Sequence, residues 1–143
     1  MALQFIDKTT DFKGFLSTRM LDKLNSTGDA ELINAESASI SMITDATAEK
    51  YDIAGELAKS GTARNATLIR WMAILCSYFL YGDVADTEIP ARVIKNYDDV
   101  LNELRMINQG KISVQLDRIT ATDGTTATKF QYGSETRRSH NPY

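Results

Sequence analysis

Residues 68–81, LIRWMAILCSYFLY, carry one charged side chain, Arg70, and would present apolar groups on every side if wound as a helix. A helix of that kind is either enclosed by protein or sits in a membrane. At 1.5 Å per residue it spans roughly 21 Å, short of the roughly 30 Å hydrocarbon core of a bilayer. The stretch is therefore expected to be the buried central helix, about residues 65–81, of a small bundle of four to five helices. Asn65 or Thr67 can cap its start, and Gly82-Asp83 ends it. Arg70 must reach solvent or meet a carboxylate.

The rest of the chain reads as cover for that helix. Leu3, Phe5 and Ile6 suggest a brief strand or an extended arm. Apolar positions then recur at helical spacing over Phe12–Leu24, with Thr9, Thr10 and Asp11 as N-caps, and Gly14 and Ser17 can divide the stretch in two. A long Ala- and Ser-rich helix is expected from Ala30 to Leu57, either continuous or broken near Glu36–Ser39. Pro90–Asn108 is the cleanest periodic signal. Val93, Ile94, Tyr97, Val100, Leu101, Leu104 and Ile107 share one face, Pro90 sits in the first turn, and Gly110 is placed to terminate it.

After Gly110 the period changes to two. Ile112, Val114 and Leu116 alternate with Lys111, Ser113, Gln115 and Asp117, as in a short strand with one buried face. Beyond it, ITATDGTTATKFQYG is rich in threonine, with Asp123-Gly124 at the centre of a hairpin-like turn. The chain thus divides into a helical domain, 1–116, and an extended C-terminal arm or hairpin, 117–143, that orders on a partner. Candidate partner-binding residues along this end are Ile112, Val114, Leu116, Ile119, Phe130, Tyr132, Arg137, Arg138 and Tyr143.

Little in the sequence suggests catalysis. His140 is the only histidine and Cys76 the only cysteine, which leaves neither a zinc ligand set nor a Ser–His–acid triad. The scattered glycines form no phosphate-binding loop. Cys76 reads as a small buried hydrophobe, and Asp98/Asp99 and Asp83/Asp86/Glu88 as solvating charge. No enzyme activity, cofactor or metal is expected. A net charge of −3 argues against a chain that works mainly by wrapping nucleic acid. The N-terminus has no signal-peptide pattern, so a soluble protein used in a cytoplasm is expected.

The order of these segments resembles the small head–tail connector proteins of tailed bacteriophages and Mu-like prophages, also called adaptor or head-completion proteins. The segments are SMITDATAEKYDIAGEL, LIRWMAILCSYFLYG and VIKNYDDVLNELRMINQGKISV. The last carries the resemblance most strongly: a Tyr97-Asp98 step, Leu101, Leu104 and Ile107, then Gly110-Lys111 leading into an apolar run. About residues 10–116 are covered, through packing patterns rather than catalytic signatures. Two departures stand out. Tyr51-Asp52-Ile53-Ala54 is followed by Gly61-Thr62-Ala63 with no proline, and the tail beyond Leu116 is longer. The resemblance implies a structural virion protein of the neck, assembled in the host cytoplasm. It would form a ring, typically of about twelve copies, that docks on the portal protein, extends the DNA channel and receives the next neck or tail protein. DNA would pass through without specific binding. A small helical DNA-binding or regulatory protein is the alternative.

Overall fold

The computed structural model describes residues 2–25, 28–82 and 84–120. Among them are five α-helices: α1 Thr18–Leu24, α2 Ala30–Thr47, α3 Ile53–Leu57, α4 Ala66–Leu80 and α5 Ala91–Asn108. Short 3-10 turns lie at Gly61–Ala63 and Asp86–Glu88. The fold is mainly α, and its centre is the helix expected there. The Asn65 side chain accepts the N–H groups of Thr67 and Leu68 (2.9 and 3.4 Å), which starts α4. Leu68, Trp71, Met72, Ala73, Leu75 and Cys76 are fully sealed. α2 and α5 both pack on α4 and on each other, so three helices enclose the core.

Enclosure of α4 is not complete. Ile69, Arg70, Tyr78 and Phe79 are only half-buried. Arg70 meets the requirement its position imposes: its Nη2 donates to both carboxylate oxygens of Glu103 on α5 (2.9 and 2.8 Å). Lys95 meanwhile donates to Asp99 at 3.0 Å. The like charges at Asp99 and Glu103 are thus each answered by a cation, which removes the repulsion their spacing would cause.

α5 follows its sequence signals closely. Pro90 is its N-cap, and Val93, Val100, Leu104 and Ile107 are buried. At the other end Gly110, at φ +76°, donates its N–H to the Ile107 carbonyl while Lys111 donates to that of Met106. This is the paired closure in which a left-handed residue, favoured as glycine, satisfies two terminal carbonyls.

The long helix runs neither to Leu57 nor breaks near Glu36–Ser39. Ser39 and Glu36 point inward, and the Ser39 hydroxyl donates to the Ala35 carbonyl at 2.7 Å without interrupting the helix. The break falls at 48–52, where Lys50 and Tyr51 both donate N–H to the Thr47 carbonyl and Tyr51 turns into the core. Asp52 then caps α3 by accepting the Gly55 N–H at 3.0 Å.

Phe12–Leu24 is divided, as Gly14 and Ser17 allow. Residues 8–15 form successive turns, Gly14 adopts φ +89°, and Ser17 caps the shorter α1. Thr9, Thr10 and Asp11 are not helix caps. The Asp7 carboxylate takes the N–H and hydroxyl of Thr9, and Asp11 takes the N–H of Asp7, so both acids close turns instead. The N-terminal Phe5 and Ile6 are buried in a bent, irregular segment rather than a strand.

The strand expected at Ile112–Leu116 does not form, and no sheet exists among the described residues. The alternation itself is real: Leu116 is buried, Ile112 and Val114 half-buried, and their neighbours exposed. A strand also needs an edge to pair with, and a helical bundle supplies none. The segment instead finds side chains and the 48–52 turn, with an antiparallel bridge between Tyr51 and Arg118. Asp117–Ile119, assigned from sequence to the arm, lie on the helical body.

Candidate functional site

The described part of the predicted partner-binding end is a strap, residues 112–119, laid across α3 and the loops flanking it. Five hydrogen bonds to its main chain fasten it. The Val114 N–H donates to Tyr51 Oη at 3.0 Å, and Asn65 Nδ2 donates to the Gln115 carbonyl at 2.7 Å. The Asp117 N–H donates to Glu56 Oε1 at 2.9 Å, and its carbonyl receives the Asp52 N–H at 2.8 Å. The Ile119 N–H reaches the Lys50 carbonyl at 3.3 Å. The Arg118 guanidinium lies over the Tyr51 ring, 5.6 Å from its centroid.

Glu56 is the pivot of this arrangement and is 1% exposed. Its Oε1 also receives Lys59 Nζ at 3.1 Å, and the same ammonium holds the Asp117 carboxylate at 2.7 Å. Asp117 first, and then Glu56, hold the Lys59 ammonium above its ordinary 10.5. Glu56 Oε2 is buried with no hydrogen-bond partner among the described residues.

Of the residues proposed from sequence, the fold brings Ile112, Val114, Leu116 and Ile119 together along this strap. Phe130, Tyr132, Arg137, Arg138 and Tyr143 lie outside the described residues. The polar fasteners Tyr51, Glu56, Lys59 and Asn65 were not anticipated as partners of the strap. Only Asn65 carried a signal, as a helix cap, and it performs both tasks at once.

Elsewhere the aromatic residues divide. Trp71 and Tyr81 belong to the core, whereas Tyr78, Phe79 and Tyr97 are half-buried at the α4–α5 seam. Tyr78 and Tyr97 stack with centroids 3.7 Å apart and planes within 9°, and Phe79 stands edge-on to both. Burial, with lesser contributions from Tyr78 and Asp98, raises the Tyr97 phenol above its ordinary 10.0. A shallow groove between α2 and α5 is lined by Met42, Ala46, Leu101 and Leu104, with Asp45 and Arg105 at its rim. The outward face of α5 is mixed, with Arg92, Lys95 and Arg105 exposed beside Asp98, Asp99 and Asn102.

Cys76 is sealed, with Ser39 Oγ 3.4 Å from its sulfur, and burial pushes the thiol up to about 12. A thiol that far from ionisation, and closed to solvent, does not attack reagents. Titration with a thiol-reactive disulfide is expected to find no fast-reacting group in the folded chain and one after denaturation.

Among the described residues, no group of three or more His, Cys, Asp or Glu side chains is placed to hold a metal ion, and no helix is long and apolar enough to cross a membrane. Comparison of the chain with protein-family models, curated proteins and solved structures gave no match.

Proposed function

We propose that this chain is a structural adaptor of the phage neck. It would form a ring under the portal, extend the DNA channel and offer a platform to the next neck or tail protein. The observation that carries the reading is residues 93–114. A strongly amphipathic helix closes at Gly110-Lys111 and passes directly into an extended apolar segment, in the pattern of the head–tail connectors. The bundle beneath it agrees with this role. Most of α4 is taken up by packing, so interaction is left mainly to outer faces and to the C-terminal end. The charge agrees too, since a conduit through which DNA slides should not grip phosphates, and the outer face of α5 mixes Asp98 and Asp99 with Arg92, Lys95 and Arg105 rather than forming a basic stripe.

The portal would be met by the C-terminal residues, with Phe130 and Tyr132 as anchors and Arg137 and Arg138 toward acidic surface. The test is co-expression with the portal protein that this reading requires from the same genome. A ring on the portal, seen by electron microscopy, is the expected result. Replacing both Phe130 and Tyr132 by alanine should weaken portal capture by about tenfold or more, as loss of aromatic anchors does. A folded chain that ignores the portal in a pull-down, or that shifts DNA in a gel at physiological salt, overturns the assignment.

A further inference from the structure

We infer that the groove holding residues 112–119 is an exchangeable site, which accepts the same segment from a second copy of this chain. Three observations lead there. The groove reads main chain: Tyr51, Asn65, Glu56, the Asp52 N–H and the Lys50 carbonyl address backbone groups of the strap in turn. Among the strap's apolar side chains only Leu116 is buried. A segment seated in this way, bent at Gln115 and Leu116, is held by its main chain as peptides are in strand-addition sites, but by side chains and a turn rather than by a sheet edge.

The strap is also separable from what precedes it. α5 completes its own closure at Gly110 and Lys111, using Ile107 and Met106, before the strap begins. Ile112 and Ser113 then separate that closure from the first fastener at Val114. Breaking the strap's contacts therefore leaves α5 intact. Finally, the strap closes over a carboxylate that it satisfies only on one side. Among the described residues Glu56 Oε2 is buried without a hydrogen-bond partner, a desolvation penalty that opening relieves.

Every bond the strap makes within its own chain is available to the identical strap of a neighbour. Exchange of an identical element between copies adds no new contact and loses none, so concentration decides it. A short tether supplies an effective concentration on the order of 1 mM, and copies held side by side reach the same range. The inference stands apart from the neck assignment, because it concerns two copies of this chain and needs no portal.

Two full-length variants, Lys59→Cys and Asp117→Cys, test it. The native side chains meet at 2.7 Å, so a short bis-maleimide joins one variant to the other only when the strap of one lies in the groove of the other. Cys76, fully buried, does not compete. Mixed at about 1 mM, the pair is expected to give a covalent heterodimer well above either variant treated alone. That yield should fall on dilution and when a synthetic peptide of residues 111–120 is added in excess. Lys50→Cys with Ile119→Cys, across the next fastener, should behave alike and covers the case in which the first pair weakens the fold. A yield no higher than the single-variant controls in both pairs overturns the inference, as does a yield indifferent to the peptide.

Discussion

Glu36→Ala is expected to lower the stability of the chain by about 3–5 kcal/mol, because it strands several buried donors at once. Glu36 sits inside α2 at 3% exposure and accepts the N–H groups of Gln4, Phe5 and Ile6 at 2.7, 2.7 and 2.9 Å. Among the described residues no cation is paired with it, so three backbone dipoles compensate the buried carboxylate. Glu36→Gln makes a sharper test. One oxygen survives for Phe5 and Ile6, but the amide nitrogen turned toward Gln4 sets a donor against a donor, and about half the loss is expected. Denaturant titration with an unchanged slope reads the free energy, and hydrogen exchange at residues 4–6 locates it. Wild-type stability in Glu36→Ala would mean that these residues do not bury the carboxylate in solution.

The second large effect is at Arg64. Its Nη1 and Nη2 grip both oxygens of Asp11 at 2.5 and 3.1 Å, and Nη1 also donates to the Phe5 carbonyl at 3.0 Å. Both side chains are nearly sealed, at 11% and 5% exposure. Asp11 first, through its hydrogen bond, raises the guanidinium above its already high ordinary value, so the cation is permanent. Arg64→Ala leaves the Asp11 carboxylate buried without a counter-charge, and a loss of about 3–5 kcal/mol is expected. Arg64→Lys should recover only part of it, since a point ammonium cannot span both oxygens. Arg64→Met with Asp11→Asn, which removes both charges, should be more stable than Arg64→Ala alone. If it is not, the loss comes from packing rather than from an orphaned charge.

The two sites fasten the same N-terminal segment, from Gln4 to Asp11, to opposite partners, α2 and the loop before α4. Their effects should therefore fall short of additive, because a segment already released by one substitution has less to lose from the other.

Much of the helical framework was legible because its signals are local. Asn65, Pro90 and Gly110 act on backbone groups within four residues of themselves, and the α4 and α5 boundaries follow from them. The sequence allows the long helix to be continuous or broken near Glu36–Ser39, and neither holds, because Glu36 and Ser39 keep the helix's inward register and α2 ends at Thr47. They occupy inward positions along with Leu32, Ala35, Ile43 and Thr47. A charged residue at a buried register was the available sign that something would come to meet it. What came is separated by 31 residues for Glu36 and Phe5, 53 for Asp11 and Arg64, and 61 for Glu56 and Asp117. No local pattern reports such pairings.

The sequence by itself determined that a helix apolar on every side would lie at the centre, which segments would cover it, and which side of residues 112–116 would face inward. Those are consequences of periodicity and of the cost of leaving apolar surface in water. Only the tertiary structure decided what the ends of the chain rest on. An irregular segment carries donors and acceptors but no geometry of its own, so its place depends on where other elements present theirs. Here Glu36 and Arg64 take the N-terminal end, and Glu56, Tyr51 and Asn65 take the strap that leads to the candidate partner-binding residues.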